Sequence, residues 1–212
     1  MDKTIIRTNF SVYLKPFKIN IMKNTLILLL MLIAFSATSC KDNKKEEATE
    51  EDTTQKEMVA AEKTEIQVVM EPKSETNTKG IITFTQEEGV VKMIGSFTGL
   101  QEGTHAIHLH EKADCTAADG TSSGGHWNPT FEQHGKWSDP SGYHKGDIGN
   151  FNADAQGNGE IAFKTDEWCI GCGDEKKDIL GKAIIVHAGT DDFVTQPTGD
   201  AGGRISCGGI IQ

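Results

Sequence analysis

The chain has 212 residues, of which 36% are hydrophobic and 25% charged, and it carries a formal net charge of −10. That composition fits one globular domain with extra polar sequence attached. The acidic balance argues against nucleic acid as a partner.

Residues 1–39 read as a signal region whose functional start is Met22. Lys23 supplies a positive charge, residues 26–35 form an apolar run, and the small residues 36–39 lead into Cys40. The run is too short to stay in a bilayer as a spanning helix. Small residues directly before a cysteine resemble a bacterial lipoprotein signal, cleaved before Cys40 with lipid on its sulfur. Ala37 stands where that motif more often has Leu. The plainer alternative is an ordinary cleaved signal with an incidental cysteine. Residues 41–63 are charged and nearly free of large apolar side chains. They bury too little surface to offset their ordering entropy, so 40–63 reads as a flexible, lipid-anchored tether. Its random-coil reach is roughly 25–30 Å. More than one acyl chain on the cysteine would give stable anchoring.

The domain, residues 64–212, reads as short strands separated by turn signals, with no convincing helical period. Strands are expected at 66–70, 81–84, 90–97, 104–110, 148–153, 160–164, 183–188 and 204–211. The fold class is all-β: an eight-stranded antiparallel Greek-key barrel or sandwich with long loops.

All but one of the seven histidines fall between His105 and His144. In residues 104–110 the apolar Ile107 and Leu109 alternate with His108 and His110. Period 2 puts the apolar pair on one face and the two imidazoles side by side on the other. His105 lies on the wrong face to join them and reads as a structural or surface histidine. The loop from Glu111 to Asp147 carries His126, His134, His144 and Asp147. Loops this long are usually functional or disordered, and these side chains argue for a loop ordered by metal. His144 and Asp147, with two further histidines, make a three-nitrogen, one-oxygen set suited to tetrahedral zinc.

His108-Leu109-His110, Gly125-His126-Trp127-Asn128-Pro129, His134-Gly135, His144-Lys145-Gly146-Asp147, Val186-His187 and Gly203-Arg204-Ile205-Ser206-Cys207-Gly208 occur in that order. Together they resemble the copper/zinc superoxide dismutases of the bacterial exported type, over roughly residues 64–212. The resemblance implies the same Greek-key barrel with metal-binding and electrostatic loops. It implies one copper ion per subunit at His108, His110, His126 and His187. It implies one zinc ion at His126, His134, His144 and Asp147, with His126 bridging the two. The implied activity is conversion of superoxide to oxygen and hydrogen peroxide by copper redox cycling. Arg204 would bind the incoming anion, His126 would carry a proton, and Asp191 would hydrogen-bond ligands of both metals, with Asp192 a neighbour left open. The implied setting is an exported protein, lipid-anchored to a bacterial membrane through Cys40 and facing the periplasm or cell exterior. A homodimer is a further expectation.

Cysteine usage fits export. With Cys40 set aside, four cysteines remain, which allow three pairings. The resemblance selects Cys115–Cys207. Cys169 and Cys172 depart from the family pattern and read as a second, local disulfide, with a redox-active pair or an accessory metal site as the sharper alternatives. Lys136, Lys145 and Lys182 are candidates for a positive channel toward the copper, against the plainer reading of solvated lysines. The competing function is a surface copper/zinc-binding module without turnover. Such a module would dispense with a copper histidine or the arginine, and this chain retains all of them.

Overall fold

A computed structural model describes residues 63–212. The signal region and Cys40 lie outside the described residues, as does all of the tether up to residue 62. Among the described residues eight strands follow one another: β1 Thr64–Pro72, β2 Lys79–Glu87, β3 Val90–Thr98, β4 Gly103–His110, β5 Gly149–Ala153, β6 Gly159–Thr165, β7 Ala183–His187 and β8 Arg204–Gly209. All eight expected strands form. The first three and β6 run longer than their alternation suggested. The fifth starts after Ile148, the seventh ends at His187, and the eighth stops before Ile210.

The strands close a barrel in the order β1-β2-β3-β6-β5-β4-β7-β8. Every pairing is antiparallel, and β1 meets β8 through Glu71–Cys207 and Pro72–Ser206. The jump from β3 to β6 in space makes it a Greek key rather than a meander. Closure removes free sheet edges. Glu88 and Gly89 both have positive φ, 51° and 79°, which gives β2 and β3 a two-residue hairpin of the twist-compatible kind.

Alternation fills the barrel. Ile66, Val68 and Met70 of β1 point inward, as do Ile82 and Phe84 of β2 and Val91, Met93 and Phe97 of β3. Each such side chain contributes about 1.5–3 kcal/mol on burial. β4 breaks the pattern, because all residues from His105 to His110 are buried. Its inner face packs Ile107 and Leu109 into the core. The opposite face is covered by loop 111–148, which joins β4 to β5, and loop 188–203, which joins β7 to β8. Loop 111–148 contains one 3-10 turn, Thr121–Ser123. β7 is likewise buried on both faces. His108, His110 and His187 lie on this covered wall of the barrel.

Candidate metal centre

His108 and His110 share the outer face of β4, and their register partners on β7 are Ile185 and Ala183. His187 ends β7 and stands opposite Arg204 of β8. His126 arrives from the loop and makes an isolated bridge to His110. Trp127 N donates to Leu109 O at 2.8 Å, and Leu109 N donates to Gly146 O at 2.9 Å, so two parts of the loop lie directly on β4. A Cβ at Gly146 would collide with Leu109 O, and only glycine lets the segment holding His144 and Asp147 approach this closely.

Two donor clusters result. His108, His110, His126 and His187 form one; His126, His134, His144 and Asp147 form the other; within each, the ligand-type atoms lie within 4.8 Å of one another. All seven residues are buried. Their tautomers follow from their partners, since a carbonyl or carboxylate oxygen can only accept. His110 Nδ1 donates to Gly124 O at 2.9 Å and His187 Nδ1 to Gly202 O at 3.2 Å. His108 Nε2 and His134 Nε2 each donate to Asp191, at 2.9 Å, to Oδ2 and Oδ1 respectively. The remaining nitrogens, His108 Nδ1, His110 Nε2, His126 Nε2 and His187 Nε2, are buried with no hydrogen-bond partner. Nδ1 of His134 and Nδ1 of His144 face Asp147 oxygens, at 3.0 and 3.2 Å. Buried polar atoms are rarely left unpaired, and a ring nitrogen whose lone pair faces no hydrogen-bond donor is satisfied by a cation. The residues fit both ions: all-nitrogen ligation suits copper in two oxidation states, and three nitrogens with a carboxylate suit zinc.

Electrostatics separates the groups. Burial, reinforced by the charge of neighbouring histidines, pushes His126 down to about 4. Burial likewise holds His110 and His187 well below the ordinary imidazole value. Burial also acts against charge on His134, but the flanking carboxylates of Asp147 and Asp191 outweigh it and raise this imidazole to about 9. Asp147 and Asp191, despite burial, are held well below the usual carboxylate range by hydrogen bonds from the histidines.

Arg204 is half-buried. Its Nη1 donates to Gly120 O at 2.8 Å and to Ser123 Oγ at 3.0 Å. The Cys115–Cys207 disulfide, with Cα atoms 5.8 Å apart, ties that loop to β8. Asp192 is occupied at the surface, accepting from Val194 N, Thr195 N and Thr195 Oγ1. His105 is buried at the barrel end, with Nδ1 against His187 O and Nε2 against Gln101 O, which makes it structural rather than a surface group. Lys145 is not a free cation: its Nζ is paired with Glu167. Lys182 lies 5.6 Å over the Trp127 ring, and Lys136 is exposed. Cys169 and Cys172 are bonded to each other.

Some positioning groups escape sequence reasoning. The carbonyls of Gly124 and Gly202 carry no side-chain signal. Gln196 grips the His134 backbone in both directions, accepting from His134 N and donating to His134 O, each at 2.8 Å. Asn150 does the same for Asp191, at 2.9 Å each way. Gly199, at φ +69°, packs on Asp191, where a Cβ would overlap the carboxylate.

A family model described as copper/zinc superoxide dismutase (SODC) matches residues 78–210. The chain is 37% identical to a protein named extracellular superoxide dismutase [Cu-Zn] from Haemonchus contortus over 143 residues, 63% of this chain and 73% of that one. It is also 37% identical to the protein of the same name from Caenorhabditis elegans over 137 residues, 62% of this chain and 60% of that one. Among solved structures it is similar to a double mutant of a SOD-like protein from Bacillus subtilis, with a TM-score of 0.60 and 31% identity, over 69% of this chain and 97% of that one.

Proposed function

Because this chain belongs to the copper/zinc superoxide dismutase family, we propose that its two histidine clusters together carry the dismutation of superoxide to oxygen and hydrogen peroxide. The observation that supports this assignment most is the set of buried, unpartnered ring nitrogens in both clusters. Copper held by His108, His110, His126 and His187 supplies one-electron redox chemistry, while zinc held by His126, His134, His144 and Asp147 supplies a fixed charge that orders the loop.

The chain's own residues do the rest. His126 belongs to both clusters, with Nδ1 at 2.9 Å from Asp147 Oδ1 and Nε2 left unpartnered. Its Nε2 is the atom that takes up a proton and passes it on. Burial favours the neutral ring, so the proton is not retained. Arg204 binds and orients the superoxide anion. Two hydrogen bonds hold its Nη1, which fixes the guanidinium beside the strand position of His187. Asp191 orients His108 and His134 through its two oxygens and so links the clusters.

We further propose that the chain is exported and anchored to a membrane through Cys40. Lys23, the apolar run, the small residues before Cys40 and the charged stretch 41–63 support a lipoprotein with residues 64–212 as its catalytic domain. The two disulfides support an oxidising compartment. Cys40→Ser should move the protein from the membrane fraction to the soluble one; a chain that stays soluble with Cys40 intact contradicts the anchor. Superoxide consumption measured against copper occupancy tests the catalytic reading.

A further inference from the structure

Cys169 and Cys172 stand apart from the histidine clusters, in the connection between β6 and β7. A disulfide that closes so short a ring restricts the unfolded chain little, because loop-closure entropy grows with loop length. The local backbone is also held without it. Asp178 Oδ1 accepts from Gly171 N at 2.9 Å and Leu180 N at 3.0 Å, and Oδ2 accepts from Gly173 N at 2.9 Å. Cys169 N donates to Lys177 O at 2.8 Å, and Ile179 N donates to Cys169 O at 3.0 Å. Trp168, Ile170 and Ile179 anchor the segment in the core. The backbone around both cysteines is thus tied by contacts that do not involve their sulfurs.

Access distinguishes this bond from the other. Cys172 is exposed and Cys169 buried. In the other disulfide neither cysteine is exposed: Cys115 is half-buried, and Cys207 is fully buried against Ala183 and Ile185. Asp178 lies within 4.8 Å of both sulfurs. Three backbone amides already occupy its carboxylate, which favours a loop anchor over a metal ligand.

We propose that Cys169–Cys172 is a thiol–disulfide exchange site, opened by external thiols while Cys115–Cys207 stays closed. The external thiolate attacks Cys172 Sγ, forms a mixed disulfide there and breaks the bond to Cys169. Cys169 leaves as a thiolate and takes a proton from solvent. A second external thiol attacks the external sulfur of the mixed disulfide, releases Cys172 as a thiol and departs in an external disulfide. Two electrons pass from two thiols to the pair, and an external disulfide returns it by the reverse steps.

The test is graded dithiothreitol on the metal-loaded, folded protein, followed by alkylation and peptide mass spectrometry. Cys169 and Cys172 should be alkylated at a dithiothreitol concentration at least about tenfold below that needed for Cys115 and Cys207, with metal content and thermal midpoint little changed. Cys169→Ser, which leaves Cys172 as a free thiol, should form a mixed disulfide with glutathione disulfide without unfolding. Simultaneous opening of both disulfides would overturn the proposal. So would a Cys172 thiol that reacts only in denaturant, or a loss of bound metal that accompanies reduction of the pair alone.

Discussion

Arg204 Nη1 donates to the carbonyl oxygen of Gly120 at 2.8 Å, across 84 positions of sequence. Ser123 Oγ completes the grip and itself donates to Gly120 O at 2.9 Å. The arginine is therefore held by a loop that also supplies Gly124 O to His110. Arg204→Ala should lower superoxide consumption by about tenfold or more at low salt while leaving copper content nearly unchanged. Activity that survives intact would remove anion guidance from this residue.

Asp191 bridges the clusters through one oxygen to His108 and the other to His134. Asn in its place keeps one acceptor and turns an NH2 group toward the other imidazole. Asp191→Asn should weaken metal retention by about 10–100-fold, the usual consequence of losing a partner that orients a ligand. Chelator competition for zinc and copper separately reads this out; wild-type retention of both metals would deny Asp191 that role.

The Cys115–Cys207 disulfide spans 92 residues. Cys207→Ser should destabilise the folded chain by about 4.6 kcal/mol if loop-closure entropy sets the effect. Because the bond restrains the loop that holds Arg204, activity should fall further than the folded fraction does. Equal losses of activity and folded protein would make the bond purely a stabiliser.

The metal-free protein should be most stable near pH 6–7. His126, lowered to about 4, and the depressed His110 and His187 favour neutral rings in the folded state. Their contribution is present above the unfolded imidazole value of about 6.5 and is lost as pH falls below it. His134, raised to about 9, acts in the opposite direction: its contribution is full below about 6.5 and is lost as pH rises through about 9. The depressed Asp147 and Asp191 add a further loss in strong acid, as pH falls below the unfolded carboxylate value. Denaturant midpoints in the presence of a chelator should trace this dome. A midpoint that climbs steadily to pH 10 would contradict the charged His134. At neutral pH metal binding should release protons, since the His134 proton must leave.

The barrel was legible because β1 to β3 alternate buried and exposed positions, with apolar residues at the buried ones, although Val69, Ile81 and Ile94 also stand exposed on the outer face. Strand ends were less so, because residues such as Ile148 and Ile210 are buried in loops that continue the core beyond the ladder. The donor residues were legible for a chemical reason: imidazoles with matching spacing are rare, and the two geometric clusters contain the same histidines and Asp147 that the motifs singled out. What orients those donors was not. Carbonyls of glycines have no side-chain signature, and Gln196 and Asn150 are ordinary polar residues until the fold brings them onto His134 and Asp191. The lysines show the opposite case, a charge visible in sequence whose partner is not: Glu167 neutralises Lys145.

The most direct measurement combines elemental analysis of the purified protein with a superoxide-consumption assay before and after copper loading. About one copper and one zinc should be found per chain, with activity that rises in proportion to copper. Zinc bound without copper-dependent activity would contradict this and leave a metal-binding barrel that does not turn over.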